Sequence, residues 1–77
     1  MNWLQPLNKP IALKDGREIA TLAAARDALP SLADQDRRLA VWRDLGELVA
    51  EAAADKSWVR EVEIQLSWEL KAVGLID

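Results

Sequence analysis

The chain has 77 residues with ten basic and thirteen acidic side chains, which give a formal net charge of −3, and it contains neither histidine nor cysteine. Without cysteine, disulfides and thiolate metal sites are excluded; without histidine, the usual metal ligand and the usual acid–base group at neutral pH are missing. The acidic balance argues against a general binder of nucleic acid, and no apolar run reaches the roughly 20 residues that span a bilayer.

Size and aromatic content shape the expected core. A domain this small buries only about 60% of the surface that its unfolded chain exposes, so the core must be used efficiently or completed by a second copy. The only aromatic residues are four tryptophans, and because each carries a large apolar surface we expect them to dominate the packing: Trp3, Trp42, Trp58 and Trp68.

Residues 1–10 predict an extended arm that docks on the core. Pro6 and Pro10 bracket its second half, and proline disfavours helix at the residue before it. The segment Met1–Pro6 has neither the basic start nor the apolar stretch of a secretion signal. We therefore expect a cytoplasmic protein without membrane contact.

Residues 11–20 predict a β-hairpin that turns at Asp15 and Gly16. A two-residue loop would place Ile19 on the face opposite to Ile11. A three-residue loop pairs Ile11 with Ile19 and gives Gly16 the left-handed position that such loops need. We predict the three-residue loop, which gathers one apolar face: Ile11, Leu13 and Ile19.

A first helix is predicted over residues 22–29. Thr21 is a suitable N-cap, and Pro30 provides the stop. The buried stripe of this helix consists of small and aliphatic residues: Leu22, Ala25, Ala28 and Leu29.

A second helix is predicted over residues 34–54. Its apolar arc covers more than half the circumference, which is typical of a central helix contacted on two sides. Gly46 lies inside this arc; we interpret it as the site where a bulky neighbour such as Trp approaches, the alternative being a glycine that is merely tolerated. Three residues compete as its N-cap: Ser31, Asp34 and Asp36.

A third helix is predicted over residues 57–73, with Ser57 as N-cap and Gly74 as the C-terminal stop. Its main apolar face consists of Trp58, Val59, Val62, Leu66, Leu70 and Val73. The predicted fold class is therefore α+β: a single domain, 1–77, in which an N-terminal hairpin packs on a mostly helical array of three helices.

Ile64 and Trp68 fall on the opposite side of the third helix, where they are neighbours four residues apart. The hairpin or the arm that carries Trp3 could cover them. Alternatively, they form an exposed patch for self-association or for a protein partner, since contiguous exposed apolar surface marks interfaces and Trp is enriched at binding hot spots. The leading hypothesis is a non-enzymatic interaction or regulatory module that self-associates through this candidate interface.

Two further clusters give weaker hypotheses. Arg37, Arg38 and Arg43 could contact phosphate in a nucleic-acid-associated regulator, although interleaved acids weaken the positive field. The acidic strip on the second helix predicts a solvated face rather than a cation or acid–base site: Asp44, Glu47, Glu51 and Asp55. No hydroxyl has a histidine base to activate it, so we expect no enzyme activity and no cofactor.

The order of elements resembles a bacterial family catalogued as domain of unknown function 982. The resemblance is carried by the segment Pro10–Gly16 before a turn, the alanine-rich segment Ile19–Leu29, and the glycine-aliphatic tail Ala72–Ile76. Two features depart from the family: Leu29-Pro30 stands where a Trp-Pro pair is usual, and the central helix lacks the common cysteine. The resemblance implies no activity and transfers no functional residues.

Overall fold

The computed structural model describes residues 1–76. Their order is β1 (Pro6–Ala12), β2 (Glu18–Thr21), α1 (Leu22–Gln35), α2 (Leu39–Ala54), a single 3₁₀ turn at Lys56–Trp58, and α3 (Val59–Ala72). β1 and β2 form a two-stranded antiparallel sheet. The predicted α+β class, a hairpin packed on three helices, is confirmed.

The elements form a ring around one core. β2 packs on α1, α1 on α2, α2 on α3, and α3 returns to β1, the partner strand of β2. α2 therefore has a helix on each side, which confirms its predicted central position. The contact between α3 and β1 closes the ring between the last helix and the first strand.

The hairpin adopts the predicted three-residue loop. Ile11 pairs with Ile19, and the backbone N–H of Leu13 donates to the carbonyl of Arg17 at 2.8 Å. Gly16 has a φ of +97°, which is the left-handed conformation that closes such a loop. The apolar face is buried as expected.

The arm predicted over residues 1–10 is wrong in its second half, because β1 begins at Pro6. Pro6 pairs with Thr21 and Ile11 with Ile19. Five residue steps along β1 therefore lie opposite two along β2, and β1 bulges between its two paired residues. Proline is tolerated at a strand's first residue and at bulges, which is why Pro6 and Pro10 do not exclude a strand here.

α1 extends six residues beyond the predicted end at residue 29, so Pro30 lies inside the helix rather than ending it. Its ring leaves the carbonyl of Arg26 without an N–H donor, and a proline in a helix interior costs about 3 kcal/mol. Both residues are exposed, so water can bond that carbonyl. The extra turn buries Leu32, which is only 1% exposed, and this burial favours continuing the helix. Thr21 is the N-cap as predicted: its hydroxyl accepts from Ala24 N at 3.1 Å.

α2 begins at Leu39, not at residue 34, and none of the three predicted residues caps it. Ser31 and Asp34 lie inside α1, and Asp36 precedes α2 as an anchor. The Asp36 carboxylate accepts from the backbone N of Arg38 at 3.3 Å, from Arg38 Nε at 2.8 Å and from Trp42 Nε1 at 3.1 Å. It thereby satisfies the polar atom of a buried indole.

α3 begins at Val59 and not at residue 57, because Ser57 lies inside the preceding 3₁₀ turn. Asp55 caps that turn: its carboxylate accepts from Ser57 N at 3.0 Å. The C-terminus is as predicted. Gly74 has a φ of +81°, Leu75 N donates to Leu70 O at 2.9 Å, and Gly74 N donates to Lys71 O at 3.1 Å. This pair of bonds is a Schellman motif.

The expectation that tryptophan dominates the core is wrong. Only Trp42 is buried, at 2% exposure, whereas Trp58 is 42% and Trp68 73% exposed, and Trp3 lies half-buried at its edge. Aliphatic residues are the largest of the fully buried side chains: Ile19, Leu22, Leu32, Leu66, Leu70, Val49 and Val62.

Gly46 on α2 is not required by its surroundings. A Cβ built there meets only Leu29 Cδ1 at 3.5 Å, an ordinary contact, so the predicted approach of a tryptophan is wrong.

Because glycine inside a helix costs about 1 kcal/mol relative to alanine, we expect Gly46→Ala to raise the free energy of unfolding by about 0.5–1 kcal/mol. Urea unfolding measures this. Gly16→Ala, at a positive φ, should destabilise the chain, and equal losses for both variants would contradict the packing described.

Three aspartates beside turns have pKa values below the usual range. Hydrogen bonds from Arg17 lower the pKa of Asp15, and those from Ser57 lower the pKa of Asp55. Desolvation is the largest single influence on the pKa of Asp36 and raises it, but the hydrogen bonds and charge of Arg38, together with the bond from Trp42, outweigh this effect.

Acid should therefore destabilise the fold. A carboxylate with a lowered folded-state pKa contributes stability above its unfolded value of about 3.9, and this contribution is lost as pH falls through the folded value. We expect Asp36→Asn to be less stable than wild type at pH 7 and to lose less stability on acidification to pH 3. Urea unfolding at both pH values tests this; a loss on acidification as large as in wild type would show that Asp36 is not a source of the pH dependence.

Candidate functional site

Ile64 and Trp68 both lie in solvent on α3. They are 51% and 73% exposed, whereas Val62, Leu66 and Leu70 on the other side of the same helix are each 0% exposed. The prediction that Ile64 and Trp68 lie opposite the buried face of α3 is confirmed.

The arm that carries Trp3 does not cover this pair. Its backbone is held on α1 and α2: Ala23 N donates to Trp3 O at 2.8 Å, and Asn2 N donates to Ala53 O at 2.7 Å. The Trp3 ring lies under the Arg26 guanidinium, 4.7 Å from the ring centroid. The hairpin reaches only one flank of α3, so of the two sequence alternatives the exposed patch is the one observed.

Exposed residues around the pair define the outer face of α3. At about 100° per residue, this face divides into two sides relative to the buried stripe. The side toward β1 carries Arg60, Ile64, Ser67 and Lys71, and the side away from β1 carries Glu61, Gln65, Trp68 and Ala72; all are exposed except Ser67, which is half-buried.

A shallow groove of about 480 Å³ runs between β1 and α3. We call it the β1–α3 groove. Its lining is mostly aliphatic, with three polar side chains: Lys9, Pro10, Ile11, Ala12, Glu63, Ile64, Ser67 and Ile76. Ile64 belongs both to the groove wall and to the exposed patch, so the two features are continuous.

Glu63 fixes the two walls of this groove. Its carboxylate accepts from the backbone N of Lys9 at 2.8 Å and from Asn8 Nδ2 at 3.1 Å. Both donors lie in the irregular part of β1, where the ladder to β2 is interrupted. At the C-terminal end, Lys14 N donates to Leu75 O at 2.8 Å, which holds the segment that leads to Ile76 against the hairpin.

Sequence reasoning missed this groove. Its walls come from segments more than 50 residues apart, and no local pattern links Glu63 to Lys9. The one available signal was the pair Pro6 and Pro10, which bracket three residues whose N–H groups need acceptors somewhere in the fold.

Two of the three arginines in the nucleic-acid hypothesis contact acidic side chains. Arg38 contacts Asp36 at 2.8 Å and Glu69 on α3 at 3.2 Å, and these partners raise its pKa, first through the hydrogen bond to Asp36. Arg43 lies 3.8 Å from Asp44. Arg37 is exposed. No observation favours phosphate binding here, and the hypothesis stays a prediction.

The acidic strip is solvated on α2. Asp44, Glu47 and Glu51 are exposed, and Asp55 caps the 3₁₀ turn. Across residues 1–76, no group of acidic side chains is arranged to hold a metal ion. Within the same described range, no helix is long and apolar enough to cross a membrane.

Comparison with protein-family models, with curated proteins and with solved structures finds no match for this chain. The resemblance to domain of unknown function 982 therefore stays a prediction.

The Glu63 contacts allow a direct test of how the groove is held. We expect Glu63→Ala to lower the free energy of unfolding by about 1 kcal/mol, because it removes an acceptor of two hydrogen bonds at a partly solvated site. Urea unfolding measures the change, and Glu47→Ala, at an exposed position in the middle of α2, is the control. Equal stabilities of the two variants would argue that Glu63 does not anchor β1.

Proposed function

We propose that this chain is a non-enzymatic interaction module, acting in the cytoplasm, that associates with a second copy of itself through the outer face of α3. The observation that carries the proposal is the 73% exposure of Trp68 beside the half-exposed Ile64. An indole in water beside a second apolar side chain is the kind of surface that marks an interface.

The charges of the outer face support a second copy as the partner. Arg60 and Glu61 lie on opposite sides of this face. A two-fold axis parallel to α3 exchanges the two sides, so each Arg60 comes across from the partner's Glu61. Such a face is self-complementary, as a two-fold interface requires.

The size of the patch favours a weak dimer. Trp68 offers roughly 150 Å² of apolar surface, which at about 25 cal/mol per Å² contributes about 4 kcal/mol per indole. Two indoles contribute about 8 kcal/mol by symmetry, which exceeds only the lower part of an association cost of about 4–15 kcal/mol. The surplus is at most about 4 kcal/mol, so we expect a dissociation constant of roughly 1 mM.

Sedimentation equilibrium between roughly 0.1 mM and 3 mM, a range that brackets this dissociation constant, tests the proposal. We expect the mass of the wild-type chain to rise from 8.6 kDa toward twice that value as concentration increases. Trp68→Ala should weaken association at least about tenfold, because one hot-spot residue carries 1.4 kcal/mol or more. The matched control is Leu39→Ala, which removes an exposed apolar side chain from α2 (63% exposed) and should leave the dissociation constant unchanged. A wild-type chain that stays monomeric throughout would overturn the proposal.

A further inference from the structure

We infer that, in the self-associated form, the Trp68 indole of each copy inserts into the β1–α3 groove of the other. This inference rests on the proposed function and specifies how its interface is built. The interface would then consist of two identical contacts, each formed by a protruding side chain from one copy and a groove from the other.

Trp68 and the β1–α3 groove lie on opposite sides of the outer face of α3. Trp68 lies on the side of the outer face away from β1, and the groove lies on the side toward β1, with Ile64 at its wall. A two-fold axis parallel to α3 exchanges these sides, so each indole faces the partner's groove. The same axis brings Arg60 across from Glu61, so charge and shape favour one arrangement.

The Trp68 indole and the partner's groove also lie at the same level along the helix axis. Side chains of an α-helix lean toward its N-terminus and cover the preceding turn. The Trp68 indole therefore lies at the level of residues 64–65, beside the stretch of α3 that lines the groove with Glu63, Ile64 and Ser67. No shift of one helix along the other is needed.

The groove has suitable chemistry for an indole. Its lining includes the aliphatic residues Pro10, Ile11 and Ile76, and also Ser67 and Glu63, which bear a hydroxyl and a carboxylate. Either oxygen can accept the single N–H of the indole. Lys9 also lines the groove, and an ammonium is suited to the face of an aromatic ring.

A mixing experiment tests the insertion. Trp68→Ala removes the indole and keeps the groove, and Ser67→Arg keeps the indole and fills the groove. Each variant alone should dimerise at least about tenfold more weakly than wild type, a change equivalent to about 1.4 kcal/mol. An equimolar mixture should form mixed dimers more tightly than either variant associates with itself, because one intact indole then meets one intact groove. Fluorescence energy transfer between labelled variants measures this recovery.

Controls separate the possible failures. Ala12→Arg fills the groove from an exposed position of β1 and should behave as Ser67→Arg does, and circular dichroism confirms that each variant is folded. If wild type dimerises and Trp68→Ala is impaired, but neither mixture recovers, the insertion is refuted and self-association stands. If wild type remains monomeric, both the insertion and the proposed function are overturned.

Discussion

The packing of α3 against β1 is the contact on which the other features depend. A two-stranded sheet is marginal in water, and β1 is hydrogen-bonded to a strand on one edge only. α3 covers the remaining flank, and Glu63 accepts the N–H of Lys9, which the ladder leaves unpaired. The same contact closes the ring of elements around the core. It joins the first strand to the last helix, so the stability of the hairpin and the placement of α3 cannot be separated.

This closure also explains why one helix carries both the core and the candidate surface. The inner side of α3 is completely buried between α2 and β1. Neither neighbour reaches its outer face, so Ile64 and Trp68 remain in water. The β1–α3 groove lies along the line where strand and helix meet, and an aliphatic hollow is therefore placed beside an exposed indole. A single packing arrangement thus produces both halves of the interface that we propose.

Local rules predicted much of this fold. The hairpin register followed from matching Ile11 with Ile19 on one face, and the Thr21 cap and the Gly74 terminus followed from the backbone groups that these residues satisfy. The rules failed where burial or a specific side-chain contact outweighed them. Pro30 does not stop α1, because Leu32 is buried one turn later. Asp36 does not cap α2, because its carboxylate bonds Trp42 and Arg38. Helical spacing predicted that Ile64 and Trp68 lie opposite the buried stripe of α3, but it left open whether the hairpin or the arm covers them. The groove required knowing that Glu63 meets β1.

The order of the elements along the chain has a consequence during synthesis. The hairpin leaves the ribosome before α3 exists, and a strand edge without its cover is a template for pairing with other chains. Two residues of β1 limit such pairing, since Pro6 and Pro10 have no N–H to offer an incoming strand. With two fewer donors on this strand, we expect edge-to-edge pairing of nascent chains to be weaker before α3 is made.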